Sequence, residues 1–361
     1  MMLKHICIAP KNSRRVQFWK KTLEQYGHEL QHITYIDIIE DTYVLSPKNQ
    51  YICRLESAGE DFDTYKAIML FGCTSSSEIQ KIEQLKENFG ELTNFNSWSK
   101  GWKKILSKIK ALASIYTIDF INDPETIAFV FDKYKTQQFL RTKKIACPPI
   151  LGICDGYASL IQKMLKTSKK QVFIKPSYGS SASGIMAFRY IYPEKQVLYS
   201  TIKEVNNILY NSLKLIKYTD PKKIASIINR MTPHDLLIEE WIPKWSYNNL
   251  SIDFRVVVIK GEVACIVARG SKHMITNLHL GNQKLDIQDS GVPVQIQEKI
   301  EAIAVEVMAT FPKLNYAGID ILVDRRGEVY VLEVNAFGDM LLGITNEEGK
   351  TIYEQEYELL S

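Results

Sequence analysis

Apolar residues recur along this chain with two different spacings, and each change of spacing marks an element. In the first third, short apolar runs alternate with stretches of helical period. Residues 5–10 read as a strand and 13–27 as an amphipathic helix. Residues 30–39 read as a second strand, and the strongly apolar 66–72 as a third. Ser75, followed three residues later by Glu78, forms a capping box for a helix running to about residue 88. Residues 98–114 form a basic amphipathic helix carrying Lys100, Lys103, Lys104, Lys108 and Lys110. A solvated face is its simpler reading, ahead of membrane or peptide contact. Pro124 sits in the first turn of a further helix that opens at Asn122-Asp123 and continues through Asp132 and Lys133 to Arg141. Cys147-Pro148-Pro149 ends that segment and marks a boundary. Strands alternating with helices predict a parallel α/β unit.

From residue 171 a period of two takes over. Residues 172–175, 236–240, 251–259 and 262–268 read as strands, and 194–230 as a polar helical insertion. Residues 315–335 read as a β-hairpin, with two β-branched apolar runs flanking Asp324-Arg325-Arg326-Gly327-Glu328.

The bulk numbers narrow the class. A chain of 361 residues has room for two or three domains, and 45% apolar with 24% charged residues is ordinary for a globular protein. The net charge of +4 is spread among both signs, so no nucleic-acid partner is expected. Cys7, Cys53, Cys73, Cys147, Cys154 and Cys265 form no C-x-x-C pair and no disulfide framework, which points to reduced thiols and away from zinc. The first residues lead directly into a strand-like segment, and no apolar run approaches a membrane span. A cytoplasmic protein is the expectation.

Candidate chemistry concentrates in the second half. Asp320 lies in the first strand of the 315–335 hairpin, and Glu333 and Asn335 lie two apart in the second, hence on one face. Two carboxylates and an amide are hard oxygen donors of the kind Mg²⁺ accepts. Upstream, Lys175 ends a strand and precedes a loop of small residues, Gly179, Ser180, Ser181, Ala182, Ser183 and Gly184. Such a loop approaches phosphate oxygens closely and offers them backbone N–H groups. The lysine comes first, so this is not a Walker A loop, and no G-x-G-x-x-G is present. Lys133 supplies a second cation from a separate element. Glu239-Glu240-Trp241-Ile242-Pro243 ends a strand in a linker suited to an adenine slot. Asp253 and Arg255 alternate on one strand face, and Arg269, Asn277, His279 and Gly281 stand in or beside a polar loop. For each of these, a solvated polar face is the plainer alternative.

Taken in order, these motifs resemble the ATP-grasp superfamily, in particular the branch of the ribosomal-protein glutamate ligases. The resemblance covers about residues 124–343. It implies a parallel α/β domain over 1–122, then an ATP-grasp domain over 123–361. The latter comprises two α+β lobes, a smaller one at about 150–240 and a larger one at 241–361. It implies that Lys133 and Lys175 hold the α- and β-phosphates of ATP while the 179–184 loop closes over the triphosphate. Glu240 and Ile242 would lie at the adenine with Glu239 and Trp241 nearby, and Asp253 near the ribose. Asp320, Glu333 and Asn335 would hold two Mg²⁺ ions, for which Mn²⁺ is an acceptable substitute. Arg255, Arg269 and Asn277 would stabilise an acyl phosphate. The implied activity is ATP-dependent joining of a carboxylate to an amine, with an amino acid, a peptide or a protein side chain as acceptor. Phosphotransfer without ligation and nucleotide binding without catalysis are the competing readings. The chain departs from the glutamate ligases at Ile275, where they carry arginine, and at Ala336-Phe337-Gly338-Asp339-Met340-Leu341-Leu342. Both border the acceptor side, so the resemblance carries the nucleotide half and does not specify glutamate. Arg14-Arg15 after the first strand and the basic helix near Lys103 are expected to shape the acceptor site. Homo-oligomerisation is compatible with all of this.

Overall fold

In the computed structural model, which describes residues 2–59, 61–179, 182–277, 280–337, 341, 343–346 and 348–360, the chain builds three sheets. The first is parallel, ordered β2 (Leu30–Thr34), β1 (Met2–Ala9), β3 (Asn49–Leu55) and β4 (Thr117–Phe120). Helices α1 (Arg14–Gln25), α2 (Tyr35–Glu40), α3 (Phe62–Gly72), α4 (Ser76–Glu83) and α5 (Phe95–Ala111) connect and cover it.

Two expectations fail here for physical reasons. The second strand stops at Thr34, whose hydroxyl accepts the Asp37 N–H (3.0 Å) while Asp37 accepts the Thr34 N–H (2.7 Å). That capping box starts α2. Residues 66–72 lie in helix α3, capped by Asp61 on the Thr64 N–H at 2.8 Å. A short run that is apolar on every side does not reveal its period. The third strand is instead the mixed segment Asn49–Leu55, paired with β1 through Ile6 opposite Cys53.

The expected helix from 122 to 141 is two helices, α6 (Pro124–Val130) and α7 (Lys133–Thr142). Asp132 breaks it by capping the Lys135 N–H (3.1 Å). The break sets Lys133 at the start of α7, whose backbone N–H donates to Ser177 O at 3.2 Å.

The second sheet is antiparallel. Its order is β5 (Ile150–Cys154), β10 (Leu236–Glu240), β6 (Gln171–Pro176), β7 (Met186–Tyr192), β8 (Lys195–Val205) and β9 (Ile208–Tyr218). Residues 194–230, expected to be helical, are mostly the β8–β9 hairpin. Asn206 (φ 48°) and Asn207 (φ 61°) form its two-residue turn, as positive φ at both positions requires. Helix α9 (Pro221–Met231) follows, and packs beneath the sheet with α8 (Tyr157–Lys166).

The third sheet runs β14 (Gln283–Leu285), β13 (Glu262–Ser271), β12 (Leu250–Ile259), β15 (Tyr316–Val323) and β16 (Val329–Asn335), with β11 (Ser246–Tyr247) also on β12. Helix α10 (Val294–Ala309) covers one face, and α11 (Ile352–Leu360) packs against α1. The first and third sheets share one core, running from Ile6 and Trp102 to Phe254 and Val331. The second sheet has its own, around Ile174, Phe188, Ile228 and Leu236.

Two buried polar centres fasten the shared body. Arg54 is fully buried, pairs with Glu56 at 2.7 Å and with Glu356 of α11, and lies 4.7–4.9 Å from the rings of Trp19, Tyr316 and Tyr353. Asn122 donates to Tyr316 O (3.0 Å) and Ala336 O (2.9 Å), and accepts from Asn315 N (2.8 Å) and Tyr316 N (3.2 Å). Asn122→Ala leaves four backbone groups without that partner and is expected to cost about 2–4 kcal/mol. A lowered urea midpoint at unchanged slope would register the loss; an unchanged midpoint would contradict it.

Candidate active site

The site is laid out by strand register. Asp320 on β15 stands opposite Glu333 on β16 and opposite Arg255 on β12, while Asp253 stands opposite Arg269 on β13. Period-two alternation then gathers these side chains on one face of the third sheet. Arg255 donates from Nε to Asp320 Oδ1 (2.6 Å) and from Nη2 to Oδ2 (3.2 Å). Arg269 reaches Asp320 through Nη1 (3.2 Å) and Asp253 through Nε (2.8 Å). Gly318 leaves room for this arrangement: a Cβ on it would come within 2.6 Å of Arg255 Nη1 and push the guanidinium from its place. Asn335, opposite Gly318, donates to its carbonyl at 3.3 Å.

Lysines from other elements meet this face. Lys133 Nζ lies 3.0 Å from Glu333 Oε1 and donates to the Gly179 carbonyl. Lys175 on β6 pairs with Glu239 on β10 at 2.8 Å. Gln137 of α7 donates both to Glu239 and to Leu332 O (3.1 Å), linking the second sheet to the third. Five cations (Lys133, Lys175, Lys244, Arg255, Arg269) thus face four carboxylates (Glu239, Asp253, Asp320, Glu333). Burial pushes the Glu333 carboxyl up, but Lys133, Lys175 and Arg255 outweigh it and hold the group below its ordinary range. Burial likewise opposes ionisation of Asp253, and Arg269 and Lys244 overcome it. Lys244 is lowered by its own burial, which Asp253 offsets only in part.

The remaining expected residues are spread around this cluster. Glu240 pairs with Lys169 at 2.6 Å, and Trp241 packs on Phe173 with Arg189 5.5 Å from its ring. Ile242 follows directly, half-buried, past the end of β10. Gly184 adopts φ +71° against Met231 and Pro176, where a side chain would be strained and crowded; Ser183 beside it is half-buried. Asn277 is half-buried, its carbonyl accepting from Asn282 Nδ2 at 2.9 Å. Ser180 and Ser181, with Leu278, His279, Gly338, Asp339, Met340 and Leu342, lie outside the described residues. Asp253, expected near the ribose, is enclosed by Arg269, Lys244 and the Thr276 hydroxyl. Arg14 is exposed, and Arg15 points its Nε toward Glu56 at 4.0 Å.

Gln137 and Lys244 went unread in the sequence, and Tyr178 and Thr276 join the site from the starts of the small-residue loop and the polar loop. Tyr178 donates to Asp132 (2.7 Å) and accepts from Lys103 (2.9 Å), so the basic face of α5 reaches the start of the small-residue loop. Of these, Lys244 carried a signal, as an isolated cation directly after Ile242-Pro243.

As donors for a metal, Asp320, Glu333 and Asn335 supply hard oxygens brought together by register; Glu333 is held ionised, while Asp320 is engaged by Arg255 and Arg269.

Two antiparallel sheets joined through such a cluster, behind a parallel sheet, are the architecture of the ATP-grasp superfamily of carboxylate–amine ligases. Residues 122–358 match the YheC/D like ATP-grasp profile, and the chain belongs to that family. It is 26% identical over 216 residues to coenzyme gamma-F420-2:alpha-L-glutamate ligase of Methanococcus maripaludis. Against the protein of the same name from Methanocaldococcus jannaschii it is 27% identical over 220 residues. Each alignment covers 60% of this chain and spans only 62% of the relative's length. Among solved structures, the ATP-grasp ligase PsnB complexed with minimal precursor superposes with TM-score 0.56 at 15% identity, over 100% of this chain and 99% of that one. The macrocyclase MdnC bound with precursor peptide MdnA, from Microcystis aeruginosa, gives 0.58 at 13% over 99% of each. D-alanine–D-alanine ligase from Bacillus anthracis gives 0.55 at 13%, over 100% and 96%. At these identities the likeness establishes the fold.

Asp253 carries a checkable consequence. Its folded pKa lies below its unfolded value of about 3.9. The stabilisation is therefore complete above that value and is lost as pH falls through the depressed folded one. Asp253→Asn leaves Arg269 and Lys244 buried against a neutral amide, and is expected to cost about 3–5 kcal/mol at neutral pH. It should also flatten the acid limb of the stability profile. Denaturant unfolding followed from neutral to acid pH reads both effects.

Proposed function

We propose that this protein is an ATP-dependent ligase that activates a carboxylate as an acyl phosphate and joins it to an amine. The observation that carries the reading is the convergence of Lys133, Lys175, Arg255 and Arg269 on Asp320, Glu333 and Glu239, in a chain of the YheC/D like ATP-grasp family. In this reading 1–122 is the N-terminal domain, and the lobes at about 150–240 and 241–361 close on ATP. Lys133 and Lys175 neutralise the α- and β-phosphates, and the 179–184 loop covers them and excludes water. Glu240, Trp241 and Ile242 border the adenine. Asp320, Glu333 and Asn335 would hold Mg²⁺, two ions in the full reading, with Mn²⁺ as a substitute. When bound, Mg²⁺ neutralises charge on the transferring phosphoryl group.

A carboxylate oxygen of the substrate attacks the γ-phosphorus and ADP leaves. The amine then attacks the acyl carbon, and inorganic phosphate leaves as the amine loses a proton. In this reading Arg255, Arg269 and Asn277 stabilise the developing oxyanion. Asp253, with its oxygens occupied by Arg269, Lys244 and Thr276, is assigned to orienting Arg269 in place of the ribose. No protein nucleophile is required. The names of the relatives, ligases of glutamate, D-alanine and precursor peptides, favour an amino-acid or peptide substrate. Six free cysteines, four of them buried, support a reducing cytoplasmic setting. Among the described residues no helix is long and apolar enough to cross a membrane.

An ADP-release screen over amino acids and small peptides, with mass spectrometry of the product, tests the reading. An amide accompanied by ADP is the expected outcome. A phosphorylated substrate with no amide would establish phosphotransfer instead. Glu333→Ala should abolish ADP formation while leaving the circular dichroism spectrum unchanged, and normal ADP release from that variant would sink the metal assignment.

A further inference from the structure

The lysines on the basic face of α5 serve different neighbours. Lys104 donates to Phe71 O (2.6 Å), and Lys108 to Ile39 O (3.2 Å) and Asp41 (2.9 Å), so both bind elements of the first sheet. Lys100 lies 3.7 Å from Glu78, and Lys110 donates to Asp123, the cap of α6. Lys103 crosses instead to the chain leaving β6. Its Nζ donates to the Tyr178 phenol oxygen (2.9 Å) and stands 4.5 Å from the centre of that ring.

The phenol in turn donates to Asp132 Oδ2 at 2.7 Å, and Lys103 is 3.8 Å from the same oxygen. Burial, and then the Asp132 carboxylate, push the Tyr178 phenol up, so it keeps its proton and stays a donor. Asp132 is only 3% exposed, and its other oxygen accepts from Lys135 N (3.1 Å), which fixes where α7 begins. A buried carboxylate needs such donors, because a charge taken out of water without them is heavily penalised.

Lys133 is the first residue of α7, and three successive residues after β6 hold that turn. Ser177 O accepts from Lys133 N (3.2 Å), the Tyr178 hydroxyl binds Asp132, and Gly179 O accepts from Lys133 Nζ. Ser177 is itself pinned to Asp235 O through N (2.9 Å) and Oγ (2.7 Å). Phe131 stacks on the Tyr178 ring at 6.3 Å, and Trp98 and Trp102 of α5 pack on Phe131 at 5.1 and 6.5 Å. Aromatic packing thus sets the Tyr178 ring, and two charged groups set its hydroxyl.

We propose that Lys103, Tyr178 and Asp132 form a positioning chain through which the N-terminal domain aims Lys133 at the nucleotide phosphates. This role rests on the ligase reading above, and it puts the basic helix on the nucleotide side of the site, where the sequence pointed to the acceptor side. Lys103 acts through the phenol, the phenol through Asp132, and Asp132 through the first turn of α7. A lysine held at both its amide and its ammonium loses less freedom when it meets phosphate, and that preorganisation raises affinity.

Calorimetric titration of the full chain with Mg–AMPPNP tests the chain of contacts, together with amide hydrogen exchange at Lys133 in the absence of nucleotide. Lys103→Met removes an ammonium whose side chain is 40% exposed, so folding is not threatened, and Tyr178→Phe removes only the hydroxyl. Each is expected to weaken Mg–AMPPNP about tenfold, as for one lost charge-assisted hydrogen bond. Each should also speed exchange of the Lys133 amide, while the urea midpoint of Lys103→Met stays where it was. Lys103→Arg still donates and should restore the parent affinity. Combining Lys103→Met with Tyr178→Phe should cost no more than Tyr178→Phe alone, because both act through one hydroxyl. Variants that bind Mg–AMPPNP as the parent does, or losses that add, overturn the proposal. A parent chain that binds no nucleotide refutes the ligase reading instead, and exchange at Lys133 then decides the positioning: faster in both variants upholds it, unchanged removes it.

Discussion

Two guanidinium groups fix Asp320, both from the same side of its strand: Arg255 from the adjacent strand and Arg269 from the strand beyond it. A carboxylate in that position needs such partners, because an unpaired charge taken from water is penalised by several kcal/mol. Each partner needs support in turn, and Asp253 supplies it to Arg269 while Lys244 and Thr276 supply it to Asp253. The chain of dependencies crosses three strands, β15, β12 and β13, and ends in the linker after β10. Much of the third sheet, including the small residue at Gly318, is explained by keeping these groups on one face and in contact.

The division of the cores gives this arrangement a mechanical setting. The first and third sheets are fastened by common apolar packing, by Asn122 and by Arg54, so the carboxylate face belongs to one body. The second sheet, with Lys175 and the small-residue loop, buries its apolar side separately. It meets the rest through polar links at Gln137, Lys133 and Tyr178, and through Leu92 and Phe95, which pack on its core. Polar links re-form in a new geometry more readily than an interlocked apolar core does. The half that would cover a nucleotide is therefore the half less firmly attached.

What could be read in advance followed from local chemistry. The hairpin carrying Asp320 and Glu333 was legible because β-branched runs around a charged turn have few other solutions, and the Lys175 loop because its glycines stand out. The strand Asn49–Leu55 was not, since Asn49, Gln50 and Arg54 dilute its apolar period. The β8–β9 hairpin was mistaken for helix because Lys195, Lys203, Lys214 and Lys217 stand on its solvated side, although Asn206-Asn207 marked the turn. Within the site, the residue types were legible and their pairings were not. That Lys133 faces Glu333, or that Asp253 is closed off by Lys244, depends on registers between strands far apart in the chain.

The aromatic box around Arg54 has a consequence for which cation can occupy it. Trp19, Tyr316 and Tyr353 present ring faces to a flat group, and Glu56 and Glu356 take its edges. A guanidinium satisfies both demands at once and keeps its charge at any pH the protein will meet. A lysine in the same position is a point donor that sheds its proton when deprived of water, and would leave two buried acids facing each other. The joint between the first strand layer and the last helix is thus chemically committed to arginine, and a change that conserves charge there would still undo it.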